Sequence, residues 1–484
     1  MTEEGSRKQE AKTENRVAPP GSRFPLLASF FCLLASCIAA TAQDASVHLP
    51  PFSRVQLKNG LTVLLMEQHE VPIVSFNIMI KSGSAADPHG KEGVASLTAE
   101  LLRKGTGTRT SEQISSDLDF IGGEFAMNAS NDFTSGSAEF LKKDIRQGMD
   151  LMADIILNPV FAQDEVSKLI GQRIDGIKSA KDRADSVIGR YFSTFLYGQH
   201  PYARPVGGDE LSLPAITRAD VQKFYESQYV PGNAILAAAG DFNTGEMRSL
   251  VEQHFNAWNA KNPPAMRVDE PKPVQGKRLL VIDKPDSTQT YFMIGNLGVT
   301  RTNPDRVAIA LVNTIFGGRF TSRLNTALRV DTGLTYGARS EFTQRKLAGP
   351  FVISTYTKNS TTEQAMDMTL SVLSALHEKG ITEAELASTK AYMKGQFPTS
   401  IETTDELAAT IARFEFYGLD ESEINSYFAK IDAITIPETR RIIRQYFPQD
   451  DLVFVLIGKA SEIEPIAKKY VPAIERKAIS QPGF

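Results

Sequence analysis

The sequence predicts an α+β fold made of two homologous halves, each an antiparallel sheet packed by helices. The chain has 484 residues, more than the ~250–300 that a single hydrophobic core usually holds. One long pattern occurs twice: a threonine-capped helix, a turn with proline and an apolar strand that ends at glycine. Predicted helices follow one another rather than alternating strictly with strands, which favours this fold over a doubly wound sheet. The two copies of the pattern are LPAITRADVQKFYESQYVPGNAILAAAGDF (213–242) and IDAITIPETRRIIRQYFPQDDLVFVLIGKA (431–460).

The spacing of the repeat sets the size of each half. Thr217 and Thr435, which begin the two predicted helices, are 218 residues apart. Two apolar strands further upstream, 71–83 and 287–299, are offset by 216 residues. The sequence therefore predicts an N-terminal domain and a C-terminal domain of nearly equal length.

Composition sets the domain boundaries. Within the first half, the strand LTVLLME (61–67) precedes helical patterns at 92–104, 111–122 and 138–157. A stretch with four prolines, 259–277, favours an extended linker because proline disfavours regular structure there. We therefore expect domains at 50–258 and 278–470, joined by this linker.

Residues 1–42 have the composition of an export signal. The apolar run that begins at Phe24 has a core of about 15 residues, shorter than the ~20 that a membrane span requires, and it ends in small residues. Cleavage after residue 42 would free Gln43. The alternatives are a lipoprotein anchored through Cys37 and a retained membrane anchor. Since Cys32 and Cys37 are the only cysteines, the mature chain has no disulfide, thiolate metal site or cysteine nucleophile.

The charge of the chain argues against nucleic acid as a partner. The net charge is −4 at pH 7, and no cluster of lysine and arginine forms a basic stripe. Contact with a membrane is expected only if Cys37 is lipidated.

The stretch GVASLTAELLRKGT (93–106) has the outline of a zinc helix without its ligands. An inverted zinc motif, H-x-x-E-H, places two histidines at i and i+4 and the base at i+3 on one helix face. Those positions here hold Ser96, Ala99 and Glu100, which offer no imidazole. The six histidines of the chain include no pair at helical ligand spacing. The residues therefore predict no metal bound by this chain and no self-contained active site.

Several motifs resemble those of the pitrilysin/insulinase family of zinc peptidases, especially its short, processing-peptidase-like members. The resemblance covers almost all of the mature chain and implies two α/β-roll halves joined into a clamshell. The motifs that carry it are LKNGLTVLL (57–65), GVAS followed by KGT (93–106), the segment 200–242, and GGRFTSRLNTALRVDTGLTYG (317–337).

The resemblance also locates the missing metal site. It places the two histidine ligands at Ser96 and Glu100 and the glutamate base at Ala99. The distant glutamate ligand falls near Gly176, with Gln172 and Asp175 close by in the sequence. Even with Asp175 as a ligand, two carboxylates and no histidine form a poor zinc site.

In the second half, Arg329 and Tyr336 match an arginine and a tyrosine, seven residues apart, that active family members use against the substrate. The resemblance implies that Arg329 donates N–H groups to a peptide carbonyl or carboxylate. It also implies that Tyr336 donates to the oxyanion that forms during hydrolysis. The alternative is structural: Arg329 caps a helix C-terminus and Tyr336 packs as a strand aromatic.

The combination is similar to the non-metal subunit of two-component members of the family. It implies a heterodimer or larger assembly, in which a homologous partner subunit carries zinc and a peptide substrate is bound. The assembly would be an exported, periplasmic endopeptidase for peptides or unfolded segments. A non-catalytic scaffold or peptide-binding protein is the alternative, and a lone peptidase with a rearranged site is a third reading. The expected substrate edge strand, otherwise an ordinary hairpin strand, comprises Phe125, Ala126, Met127, Asn128 and Ala129.

Overall fold

The computed structural model describes residues 47–262 and 267–484. The predicted export signal, and with it Cys32 and Cys37, lies outside the described residues. Residues 47–484 form one compact unit. No helix in the described ranges has the length and apolar content of a membrane-spanning segment.

The N-terminal half contains one six-stranded sheet and seven helices longer than one turn. Their bounds are β1 Ser53–Gln56, β2 Thr62–Glu67, β3 Ile73–Ile80, α1 Val94–Leu101, α2 Ser111–Phe120, β4 Glu124–Ala129, β5 Thr134–Leu141, α3 Ile145–Leu157, α4 Gln163–Lys181, α5 Ala184–Tyr197, α6 Arg218–Gln228, β6 Ala234–Gly240 and α7 Thr244–Phe255.

The C-terminal half repeats this arrangement with a second six-stranded sheet. Its elements are β7 Arg278–Asp283, β8 Gln289–Leu297, α8 Arg306–Asn313, α9 Arg323–Asn325, β9 Ala338–Phe342, β10 Pro350–Lys358, α10 Thr362–Lys379, α11 Glu383–Gln396, α12 Thr404–Tyr417, α13 Ser422–Asn425, α14 Tyr427–Ala433, α15 Ile436–Tyr446, β11 Val453–Gly458, α16 Ala460–Ala467 and β12 Ile474–Ala478. Two π-helical turns, Thr314–Gly318 and Thr326–Asp331, flank α9.

The predicted α+β fold of two homologous halves is confirmed. The strand orders are β1-β2-β6-β3-β5-β4 and β12-β7-β11-β8-β10-β9, so each strand from β2 to β6 has a counterpart in the second sheet. Thr217 and Thr435 both accept a hydrogen bond from a backbone N–H in the first turn of their helices, α6 and α15. The repeat seen in the sequence is thus a repeat of structure.

The sheets are mixed, however, and not purely antiparallel. β2 pairs in parallel with β6, and β7 pairs in parallel with both β11 and β12. Two parallel neighbours need a long connection that returns the chain to the same end of the sheet. The segment between β2 and β6 contains most of the helices of this half and provides that connection. The pairing of β12 with β7 also extends the second sheet beyond residue 470.

One predicted helix is shorter than its sequence pattern. Residues 138–141 of the helical pattern 138–157 continue β5, and α3 begins only at Ile145. The pairing of Ala138 with Phe76 in β3 and with Phe125 in β4 decides the conformation, because it places Ala138 in the middle of the sheet.

The two halves exchange a helix. α5 of the first half packs on β8 and β11 of the second sheet, through residues such as Val187 and Phe192. In return, α12 of the second half packs on β3 and β6, and Ile411 of α12 and Ile235 of β6 belong to one buried apolar cluster. β6 and β11 are therefore covered on both faces and buried at every residue, as expected for continuous apolar strands.

Candidate functional site

Helix α1 carries the three positions of the expected zinc motif. A buried carboxylate anchors its first turn: Asp87 accepts hydrogen bonds from the backbone N–H groups of Gly93, at 2.7 Å, and Ala95, at 3.0 Å. Burial raises the pKa of Asp87 to about 8, although these two N–H groups favour the ionised carboxylate. The two hydrogen bonds to Asp87 fix where α1 starts, and they therefore fix the orientation of the helix face that carries Ser96, Ala99 and Glu100.

On that face, Ser96 is half-buried, Ala99 is buried and Glu100 is exposed. Helix α4 brings the side chain of Arg173 to them. The Arg173 guanidinium donates to Ser96 Oγ at 3.0 Å, to the Ser96 carbonyl oxygen at 3.1 Å and to Glu100 Oε2 at 2.7 Å. A guanidinium thus bridges the two positions where the resemblance places the histidine ligands.

The fourth expected position does not complete a metal site. Gly176 is exposed, and a side chain there would meet open space. The carboxylate of Asp175, with 82% of its side chain exposed, lies 3.9 Å from Lys178. No group of three or more metal-binding side chains occurs among the described residues.

These residues do not fit zinc. The donor set is a hydroxyl, a methyl group and one carboxylate that already pairs with arginine, whereas zinc prefers imidazole, thiolate and carboxylate ligands. The positive charge of Arg173 would also repel a divalent cation. Sequence reasoning missed Arg173, although a residue three positions before Gly176 lies on the same face of a helix.

Arg329 and Tyr336 lie together in a different part of the molecule. Both line a cavity of about 570 Å³ in the C-terminal half, and α5 contributes Asp185 and Ile188 to its wall. The lining includes no residue of α1 or β4. The cavity is large enough for a small-molecule or peptide ligand, for which sites of ~300–1,000 Å³ are usual.

Arg329 is held by the second π-helical turn. Its guanidinium lies 4.7 Å from the centre of the Phe320 ring, at a distance typical of a cation–π contact. Tyr336 follows Gly333, whose φ of +64° suits glycine, and precedes β9, with 78% of its surface exposed. Within the described chain neither the Arg329 guanidinium nor the Tyr336 hydroxyl has a hydrogen-bond partner, so both are available to a ligand.

An ion pair holds the segment that carries Arg329. Arg323 of α9 donates two hydrogen bonds of 2.7 Å to the Glu385 carboxylate and a third to the Gly380 carbonyl oxygen. Burial raises the pKa of Glu385, but the hydrogen bonds from Arg323 and Thr382 outweigh it and lower the pKa to about 2. The pair ties α9 to α11, and this contact fixes the entrance to the π-helical turn.

The expected substrate strand, β4, lies at one end of the N-terminal sheet and pairs with β5 alone among the described strands. Phe125 and Met127 face the core, Ala126 and Asn128 are exposed, and Ala129 is half-buried. The backbone N–H and C=O groups on the outer edge of β4 therefore pair with no other described strand. α1 packs beside this strand.

The fold and these motifs together define a peptidase-type molecule of two related sheet-and-helix halves. Residues 62–210 match "Insulinase (Peptidase family M16)", and residues 215–393 match "Peptidase M16 inactive domain". The chain belongs to this family, so the resemblance predicted from the sequence is confirmed.

Relatives and solved structures agree with this assignment. An uncharacterized zinc protease of Mycobacterium leprae is 27% identical over 81% of this chain and 88% of its own. The uncharacterized zinc protease YmxG of Bacillus subtilis is 23% identical over 82% and 96%. The structure of a peptidase M16 inactive domain from Pseudomonas fluorescens is 27% identical over 84% and 98%, with a TM-score of 0.79. A protease from Helicobacter pylori, 22% identical over 85% and 100%, shares the fold with a TM-score of 0.78.

Proposed function

We propose that this protein is the subunit without zinc in an exported, heteromeric zinc endopeptidase that acts on peptides or unfolded segments. The observation that carries the proposal is the contrast between two sites. Arg173 bridges the positions where the resemblance places the zinc ligands, whereas Arg329 and Tyr336 are exposed and line one open cavity. A homologous partner subunit supplies the zinc ion and the glutamate base in this proposal.

The chain's own residues then act on the substrate bound by the pair of subunits. Arg329 donates its fork of N–H groups to a peptide carbonyl or carboxylate. Tyr336 donates its hydroxyl proton to the oxyanion, where a preorganised donor is most effective. The edge of β4 from Phe125 to Ala129 adds a backbone ladder to an extended substrate.

The location of the π-helical turns supports a functional role for this part of the chain. Such turns are rare and occur frequently at functional sites, and here Thr314–Gly318 and Thr326–Asp331 flank the cavity. Large apolar side chains are also unusually exposed there: Phe320 and Val330 are each 65% exposed and Tyr336 78%. An exposed apolar cluster of this kind is typical of an interaction site.

The test is reconstitution with the partner. We expect the purified chain alone to contain no stoichiometric zinc and to cleave no peptide. A homologous chain with an intact H-x-x-E-H motif should co-purify from the native host, and mixing the two should restore hydrolysis.

Variants of the cavity then assign the roles. In the reconstituted pair, Tyr336→Phe should lower kcat by about 10²-fold, as expected for removal of one oxyanion donor, and Arg329→Ala should also lower turnover. Arg444→Ala, an exposed position of α15 outside the cavity, is the matched control. Unchanged turnover in both cavity variants would refute the assigned roles.

A non-catalytic scaffold or peptide-binding protein is the second candidate. The ion pair between Arg173 and Glu100 favours this second candidate, because it gives helix α1 a structural role in place of a catalytic one. This candidate predicts that no partner restores activity to the mixture.

The proposed location is the periplasm, after removal of the export signal and release of Gln43. Anchoring as a lipoprotein through Cys37 is the alternative. Mass spectrometry of the mature N-terminus distinguishes the two.

A further inference from the structure

The cavity beside Arg329 and Tyr336 has a marked excess of positive charge. Arg319, Arg329 and Arg339 all line it, and Asp185 is the one carboxylate in its described wall. Asp185 is already paired, since its carboxylate accepts a 2.8 Å hydrogen bond from Arg183. The cavity therefore has three arginines and no free carboxylate to balance them.

None of the three arginines forms an ion pair within the described chain. Arg339 donates from Nε to the hydroxyl of Ser354 at 3.2 Å, and Arg329 lies over the Phe320 ring. Their neighbour Arg323, in contrast, is paired bidentately with a carboxylate. Unpaired guanidinium groups that share one cavity repel each other and are stabilised by an anion.

The side chain of Arg319 has few polar partners of its own. Its Nη1 has a weak contact of 3.4 Å with the Ser388 hydroxyl, but its Nε is buried and has no hydrogen-bond partner. A buried donor without a partner is unfavourable, and most such groups in folded proteins are satisfied. The Arg319 guanidinium, which lines the cavity, is therefore only partly satisfied by its neighbours in the described chain.

Several aromatic side chains also line the cavity, and they favour a peptide over a simple anion as the ligand. The rings of Tyr291 and Tyr356 stack with centroids 5.1 Å apart, and both line the cavity with Phe320 and Tyr336. Aromatic faces bind apolar and amide groups, while the guanidinium groups bind a planar carboxylate. A peptide that carries a carboxylate combines these features.

We propose that this cavity selects a carboxylate of the bound peptide, with Arg319 and Arg339 as its specificity-determining residues. The carboxylate belongs either to an acidic side chain or to the C-terminus of the peptide. This proposal rests on the proposed function, in which Arg329 and Tyr336 face the substrate.

Binding of labelled peptides to the isolated full chain, measured by fluorescence anisotropy, tests the proposal without the partner. Three short unstructured peptides are compared: one with a central glutamate and an amidated C-terminus, one with glutamine in its place, and the glutamine peptide with a free C-terminus. At least one carboxylate peptide should bind about tenfold more tightly than the neutral peptide, as charge-assisted hydrogen bonds predict. Tighter binding of the glutamate peptide identifies an acidic side chain as the source of the carboxylate, and tighter binding of the peptide with a free C-terminus identifies the terminal carboxylate. Equal binding of all three, or no binding up to about 1 mM, overturns the proposal.

The same assay on Arg319→Gln and Arg339→Gln assigns the residues. Loss of the preference in either variant supports the assignment, and retention of the full preference in both overturns it. Arg339 is exposed, so Arg339→Gln decides the outcome if Arg319→Gln fails to fold. Arg444→Gln is the matched control and should retain the preference.

The two proposals fail separately. Without a binding preference, reconstitution with the partner still tests the proposed function. Unchanged turnover of the Arg329 and Tyr336 variants, in contrast, would refute the roles assigned to those two residues, and the anisotropy assay would separately report whether Arg319 and Arg339 bind a carboxylate.

Discussion

Replacing Arg173 with alanine tests whether its guanidinium stabilises the contact between α1 and α4 at the positions where a zinc ion is expected in active family members. The Arg173 side chain is 15% exposed, and its guanidinium joins α4 to α1 through Ser96 and Glu100. We expect Arg173→Ala to lower the stability of the N-terminal half without changing its secondary structure.

The magnitude follows from the three hydrogen bonds. The two bonds to Ser96 involve a charged donor that is mostly buried, and each contributes about 1–1.5 kcal/mol. The bond to Glu100, whose side chain is 47% exposed, adds about 0.5 kcal/mol because water screens the pair. The sum of about 3 kcal/mol corresponds to a melting temperature lowered by about 3 °C, because residues 47–484 form one compact unit and the entropy of unfolding grows by about 2.1 cal/mol/K for each residue.

Differential scanning calorimetry or thermal circular dichroism measures this shift. Glu100→Gln should lower stability by less than about 1 kcal/mol, since Ser96 still binds the guanidinium. Arg146→Ala, at an exposed position of α3, is the matched control and should change stability by at most about 0.5 kcal/mol. The reasoning is refuted if Arg173→Ala melts with the wild type, or if Glu100→Gln is as unstable as Arg173→Ala.

Two further predictions concern pH and the repeat. Because the pKa of Glu385 is lowered to about 2 from an ordinary value of 4.5, its ionised form stabilises the fold above about pH 4.5, and this contribution is lost as the pH falls toward 2. Glu385→Gln should lower stability at pH 7 by about 1–2 kcal/mol, a value discounted for partial exposure, and unfolding curves of variant and wild type should converge only near pH 2, the pKa of Glu385 in the folded protein. Gly240→Ala should destabilise by about 2–4 kcal/mol, because φ is +137° and a Cβ would overlap the Ile73 carbonyl oxygen. The equivalent change Gly458→Ala, whose Cβ would lie 3.2 Å from its nearest neighbour, should destabilise less when both variants are unfolded with urea, and equal effects would contradict the assignment to strain at Gly240.

The sequence predicts the fold wherever local pattern and tertiary environment agree. The apolar runs of β6 and β11 indicate central strands, and the structure buries every residue of both. The threonine caps of α6 and α15 are equally visible, because capping depends on neighbouring residues. Parallel pairing of β2 with β6 is not visible, since strand direction depends on the path of the chain between them.

The candidate site shows the same division. Spacing along one helix was enough to predict that Ser96, Ala99 and Glu100 share a face without zinc ligands. The bridge from Arg173 and the unpaired Nε of Arg319 could not be predicted, because both depend on which side chains from distant segments meet in space. A helix period indicates which face of α4 is turned toward α1, but not which of its residues reaches across.

Because the two halves exchange helices, the cavity in the C-terminal half depends on the N-terminal half, although the N-terminal half lacks zinc ligands. α5 belongs to the N-terminal half, yet its apolar face covers β8 and β11 of the second sheet. The same helix places Asp185 and Ile188 in the wall of the arginine-rich cavity. Without α5, buried residues such as Ile282 and Val455 would face water, at about 25 cal/mol for each Å² of apolar surface exposed. The second half therefore depends on the first for its core and for one wall of its cavity, whether or not the first half binds a metal.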